Sequence, residues 1–280
     1  MTRSPVSSEF VTEPKVVRAL REHATERSTI LARLAASFQE DQHIRAAWLW
    51  GSFLRGDQDD LSDLDIWLLV APCCVGGFAI LLEKYCRAAG LVIACGENAH
   101  NAPQGGGYFN ALLAGSHGLH HLDIYWQVPS DAIVPDGPVL FNRLNEPCPD
   151  FEWKQTKPDQ SEESDLDNCR GRITFVWLML SVAAKCLARD PSSDMALMSY
   201  PRNAFDETVE VLGLKGQVGE VNWTTTGGSF EKVELLRQVS LKTAILEGAC
   251  RDRGLDISSE ANPCLNRYFD LVERILSKGL

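Results

Sequence analysis

"WLWGSFLRGDQDDLSDLDIWLLV", residues 48–70, sets a Gly-Ser pair after an apolar run and an Asp-Leu-Asp triplet eleven residues beyond that serine. The apolar segment "IRAAWLW", 44–50, reads as a strand stopped by Gly51, and "LDIWLLV", 64–70, reads as a second strand ended by Pro72. Side chains alternate faces along a strand, so Asp63 and Asp65 point one way while Leu64, Ile66 and Leu68 point into a core. Two carboxylates roughly 6 to 7 Å apart and partly shielded from water repel each other, and a divalent cation between them relieves that repulsion. Hard oxygen donors with open positions suit magnesium, which keeps its waters and shares its ligands with phosphates.

A phosphate grip lies in the same stretch. Gly51 and Ser52 stand between a strand and a helical turn, where unpaired amides and the positive end of the helix dipole attract anions. Arg55, one turn further, is placed to reach a triphosphate. Taken singly, each feature has an ordinary reading. Gly-Ser after a strand is a turn and helix cap, and Asp63 can close a turn with Ser62; Asp65, between Leu64 and Ile66, has no such role. Asp57, Asp59 and Asp60 read as a solvated loop.

The rest of the chain follows hydrophobic period and breakers. Residues 14–41 and 76–89 have helical patterns, and "LVIAC" is a short strand. "YFNALLA", 108–114, and "LHHLDIYWQV", 119–128, form two strands joined by the hairpin "GSHG", while "QGGGY", 104–108, reads as a flexible loop. His120 and His121 fall on opposite faces of their strand and are expected to be partly exposed. Residues 146–165, rich in proline and acids, read as a linker. Beyond it come helices: a long one through Phe175–Ala184 with Lys185 and Arg189 in its last turns, then 194–213 with Pro201 as a kink or stop, 230–252 capped by Ser229, and 262–278.

In combination and in order, Gly51, Ser52, Arg55, Gly56, Ser62, Asp63 and Asp65 resemble the signature of the DNA polymerase beta-like nucleotidyltransferase superfamily. That resemblance implies a third carboxylate from a neighbouring strand. Asp123 fits, as the lone acid of "LHHLDIYWQV" with Leu122, Ile124 and Trp126 on the opposite face. A looser resemblance, in "DIYWQVPSDAIVPDGPVLFNR" and "FVWLMLSVAAKCLARD", is to the aminoglycoside and lincosamide nucleotidyltransferases. Phe53, Leu54 and the long acidic linker depart from the pattern of that branch. The implied architecture is α+β. A nucleotidyltransferase fold with a mixed sheet flanked by helices spans 1–145, the linker 146–165, and an α-helical acceptor-binding bundle 166–280.

The implied reaction moves a nucleoside monophosphate, AMP in first place, from a triphosphate such as ATP to a hydroxyl of a small molecule of aminoglycoside or lincosamide type, with pyrophosphate released. Asp63, Asp65 and Asp123 would hold two Mg2+ ions, with Asp123 as metal ligand or general base; Gly51, Ser52, Arg55 and Lys185 would bind nucleotide. Two other readings stay open: a nucleotidyltransferase that modifies a protein or RNA, and a nonenzymatic nucleotide-binding module of the same fold.

Bulk properties bound these readings. The chain has 280 residues, 45% of them hydrophobic, and a formal charge of −11 that repels phosphate backbones, so long nucleic acid is not expected as a partner. Nine scattered cysteines without C-x-x-C spacing point to free thiols in a reducing cytoplasm. The amino terminus has no signal-like apolar core, and with the longest apolar run only 175–184, short of the ~20 residues of a membrane helix, no membrane is expected. Composition leaves the oligomeric state open.

Overall fold

A computed structural model describes residues 14–98, 101–130, 136–146, 165–189, 196–223, 229–255 and 257–278. Its strands are β1 (Ile44–Leu49), β2 (Leu64–Val70), β3 (Val92–Glu97), β4 (Gly106–Gly115), β5 (Gly118–Gln127) and β6 (Val139–Asn142). The helices are α1 (Lys15–Glu40), α2 (Gly51–Arg55), α3 (Phe78–Ala89), α4 (Asp165–Arg189), α5 (Ala196–Val211), α6 (Lys215–Val218), α7 (Ser229–Asp252) and α8 (Ala261–Lys278). The architecture is α+β, with a mixed sheet flanked by helices and further helices after it, as expected.

The sheet runs β3-β4-β5-β2-β1-β6. β2 and β5 pair in parallel, and the other neighbours are antiparallel. The alternation in β2 is realised: Leu64, Ile66 and Leu68 are buried while Asp65 and Trp67 are only half-buried. The buried set joins Leu122, Ile124 and Trp126 of β5 under Ile30, Leu34 and Phe38 of α1 and Phe78, Leu82 and Cys86 of α3. α1 presents that stripe because Val16, Ala19, His23, Arg27, Ile30, Leu34 and Phe38 recur at helical spacing. It ends at Asp41, whose extended backbone and carboxylate take over: Oδ1 accepts from the His43 amide at 2.8 Å and Oδ2 accepts from the Tyr85 hydroxyl.

β4 and β5 form the expected hairpin, with Gly115 opposite Gly118 and a Ser116-His117 turn. The reading of 104–108 as a loop needs correction, because Gly106 and Gly107 open β4. Trp126 of β5 lies so close over both that a Cβ at either would overlap it. Pro201 does not end its helix, since α5 continues to Val211.

The expected linker, 146–165, lies almost wholly outside the described residues. α4, α7 and α8 share a core with Leu61, Ile93, Leu112 and Leu119 of the sheet-bearing half and with Val16 and Ala19 of α1. Residues Cys169–Arg189 of α4 are long and apolar enough to cross a membrane, with a window of mean hydropathy 1.4, which exceeds the apolar run expected from sequence. That window is 61% buried, packed against α5, α7 and α8.

Candidate active site

The parallel β2–β5 pair sets Asp65 directly beside Asp123 and, two residues on, Trp67 beside Tyr125. In-register parallel strands point equivalent side chains the same way, so both acids emerge on the sheet face opposite the α1–α3 core. Asp63 stands just before β2. Donor atoms of Asp63, His121 and Asp123 lie within 4.8 Å of one another. Asp65 is outside that compact group and leans toward Gly51 instead.

The chain supplies two cations of its own here. Lys185 of α4 donates to Asp63 Oδ2. His121 lies between acids, with Nδ1 3.5 Å from Asp63 and Nε2 3.1 Å from Asp123, although neither nitrogen meets hydrogen-bond geometry. Asp123 Oδ1 also accepts from the Tyr108 hydroxyl. Burial alone would raise the Asp63 acid, but the charges of His121 and Lys185 outweigh it and hold the carboxyl well below its usual range. Burial would likewise lower His121, yet Asp123 and Asp63 lift it to about 10, so the imidazole is charged. Asp65 goes the other way: burial, then Asp123 and Asp63, push it up to about 6. Among the described residues no hydrogen bond or ion pair reaches its carboxylate.

Gly51, with φ of 58°, begins α2 after β1. The Trp50 amide donates to the Asp65 carbonyl at 2.8 Å, which ties this turn to β2. Ser52 and Arg55 line a cleft of about 570 Å³ together with Asp57, Asp59, Asp60 and Arg189. Its size suits a small molecule. None of Asp63, Asp65 and Asp123 lines it. Arg55 bonds to Asp57 at 3.0 Å.

Asp59 is exposed in its loop, as expected, but it is also tied down. Both its oxygens accept from Arg189 at 2.7 Å, and its Oδ1 accepts from the Leu61 amide and the Ser62 hydroxyl at 3.0 Å. Arg27, buried on α1, donates to the carbonyls of Asp59 and Ser62 at 2.7 and 2.8 Å. These bonds fix the segment that delivers Asp63.

Of the residues singled out by sequence, Asp63, Asp65 and Asp123 come together, Gly51 abuts Asp65, and Ser52 and Arg55 face the cleft. Lys185 is on Asp63 rather than in the cleft. Tyr108 and Arg27 escaped the sequence reading, and His121, expected to be partly exposed, is nearly buried between Asp63 and Asp123. Only for His121 was there a signal, its shared face with Asp123. The donor chemistry admits a divalent cation: Asp63 and Asp123 share a compact group with His121, and Asp65, beside another acid, lacks a partner among the described residues.

No protein family profile and no curated protein sequence matches the chain. Among solved structures it is similar to the STING-associated CdnE c-di-GMP synthase from Capnocytophaga granulosa, at 12% identity over 97% of this chain and 89% of that chain, with a TM-score of 0.28. A superposition so loose carries no argument, and the functional reading rests on the side chains themselves.

Proposed function

We propose that the protein is a metal-dependent nucleotidyltransferase that moves a nucleoside monophosphate from a triphosphate to a hydroxyl of a small acceptor. The observation that carries this reading is the register of Asp65 against Asp123, which lines up acids on adjacent parallel strands with Asp63 at their side. Asp63, Asp65 and Asp123 would hold two magnesium ions, which when bound supply Lewis acidity at the α-phosphate and neutralise the departing pyrophosphate. The acceptor oxygen attacks the α-phosphorus, the bond to the β-phosphate oxygen breaks, and the acceptor proton passes to Asp123 or to solvent.

The remaining groups bind and orient. Ser52 and Arg55, in the cleft beside the Gly51 turn, bind phosphate oxygens, and Arg189 lines the same cleft. Lys185 leaves Asp63 for the nucleotide when a dication takes its place. Trp67 and Tyr125, stacked at 5.4 Å between Trp50 and Tyr108, form an aromatic row next to the acids. Asp57, Asp60 and the net charge of −11 favour a cationic acceptor of the aminoglycoside or lincosamide kind, with ATP as donor. The described cysteines are free, which supports a reducing, cytoplasmic setting.

A second reading, a nucleotide-binding module without turnover, draws on one observation: His121 and Lys185 already compensate Asp63 and Asp123. A pyrophosphate-release assay separates the two. The protein is incubated with each labelled triphosphate, magnesium and a panel of aminoglycosides and lincosamides. Turnover with a small acceptor, abolished by Asp65→Asn, supports transfer; label on a macromolecule redirects the acceptor, and nucleotide binding without turnover favours the module.

A further inference from the structure

On the opposite face of β5 from His121, a separate cluster joins the hairpin to α1. His23 and Glu26 are three residues apart on α1 and share a face, and His120 meets them from β5. One donor atom from each of the three lies within 4.8 Å of the others. His23 and His120 are only 2% and 3% exposed, while Glu26 sits at the rim.

Two observations go beyond proximity. His23 Nδ1 is buried without a hydrogen-bond partner among the described residues, although buried polar atoms are ordinarily satisfied. Gly115 adds the second. A Cβ there would lie 2.6 Å from His120 Nε2 and 2.7 Å from Glu26 Oε2, so the glycine keeps open the space on which these two donors converge. The surroundings orient the donors. The Ser116 amide donates to Glu26 Oε2 at 3.1 Å, and His117 Nε2 lies 2.7 Å from Glu22 beside them.

We propose that His23, Glu26 and His120 bind a transition-metal dication of the zinc class, clamping α1 to the hairpin that carries His121 and Asp123. Two imidazoles and one carboxylate form a borderline donor set that suits zinc. The His23 and His120 rings stack at 4.2 Å with 18° between their planes, which sets the two imidazoles side by side. The clamp is independent of the nucleotidyl-transfer reading.

Cobalt titration of the full chain tests it. One equivalent of Co2+ is expected to give the visible bands of four-coordinate cobalt, which zinc removes, and zinc is expected to raise the melting temperature. Both effects persist in Asp65→Asn and disappear in His120→Gln and in Glu26→Gln; the second variant alters a rim residue and keeps the test valid if the first fails to fold. Absence of bands and of a zinc-induced shift in the parent overturns the proposal. So do bands that survive Glu26→Gln or vanish in Asp65→Asn.

Discussion

A Cβ on Gly51 would collide with the Asp65 carboxylate. The close approach explains why the turn after β1 carries glycine, and the left-handed φ of 58° reinforces it. Gly51→Ala places a methyl where Asp65 now lies and strains the backbone by about 1–2 kcal/mol. On the proposed function, displacing the Asp65 carboxylate by an ångström lowers pyrophosphate release by roughly 100-fold. Thermal unfolding of the same variant is expected to show only the modest backbone penalty, and an unchanged rate would break the link between Gly51 and the acids.

On the proposed function, Lys185 and an added dication compete for Asp63. Lys185→Met leaves a half-buried carboxylate short of one partner while His121 remains beside it, which destabilises the magnesium-free protein by about 1–3 kcal/mol. Magnesium then raises the melting temperature of the variant more than that of the parent, because it replaces the missing positive charge. Equal shifts in calorimetry would show that the ion does not bind at Asp63.

Glu247 of α7 gives a pH signature away from the acids. It is fully buried and accepts from Trp177 Nε1 at 2.9 Å and from Arg251 at 3.2 Å. Burial outweighs both bonds and raises its acid from 4.5 to about 7. Between those values the folded chain holds a proton that the unfolded chain releases, so raising the pH lowers stability. The penalty begins near pH 4.5, is complete above pH 7 and amounts to about 3 kcal/mol. Denaturant titrations should show that Glu247→Gln flattens this fall; parallel curves for parent and variant would contradict the assignment.

Local patterns were legible where one period or breaker dominates. Alternation in Leu64–Val70 is visible in the residues because one face is core, and the same rule exposes Asp65 and Asp123. Contacts between distant segments were not legible. Lys185 reaches Asp63 across 122 positions and Arg27 reaches the Ser62 carbonyl across 35; no local pattern encodes such pairs. Gly106 and Gly107 looked like a loop because glycine marks turns, whereas here it makes room for the Trp126 ring and backbone. Asp59 is solvent-exposed as its loop suggests, but its pairing with Arg189, on a helix 130 positions away, has no local signal.

The central claim is that acids on β2 and β5 hold a dication that carries a triphosphate. Manganese binding, followed by electron paramagnetic resonance with and without a nonhydrolysable triphosphate analogue, tests it most directly. The account predicts that the analogue tightens manganese binding, that manganese is required for analogue binding, and that Asp65→Asn and Asp123→Asn each remove both effects. Analogue binding of equal affinity without manganese, or manganese coupling retained in both variants, would contradict it.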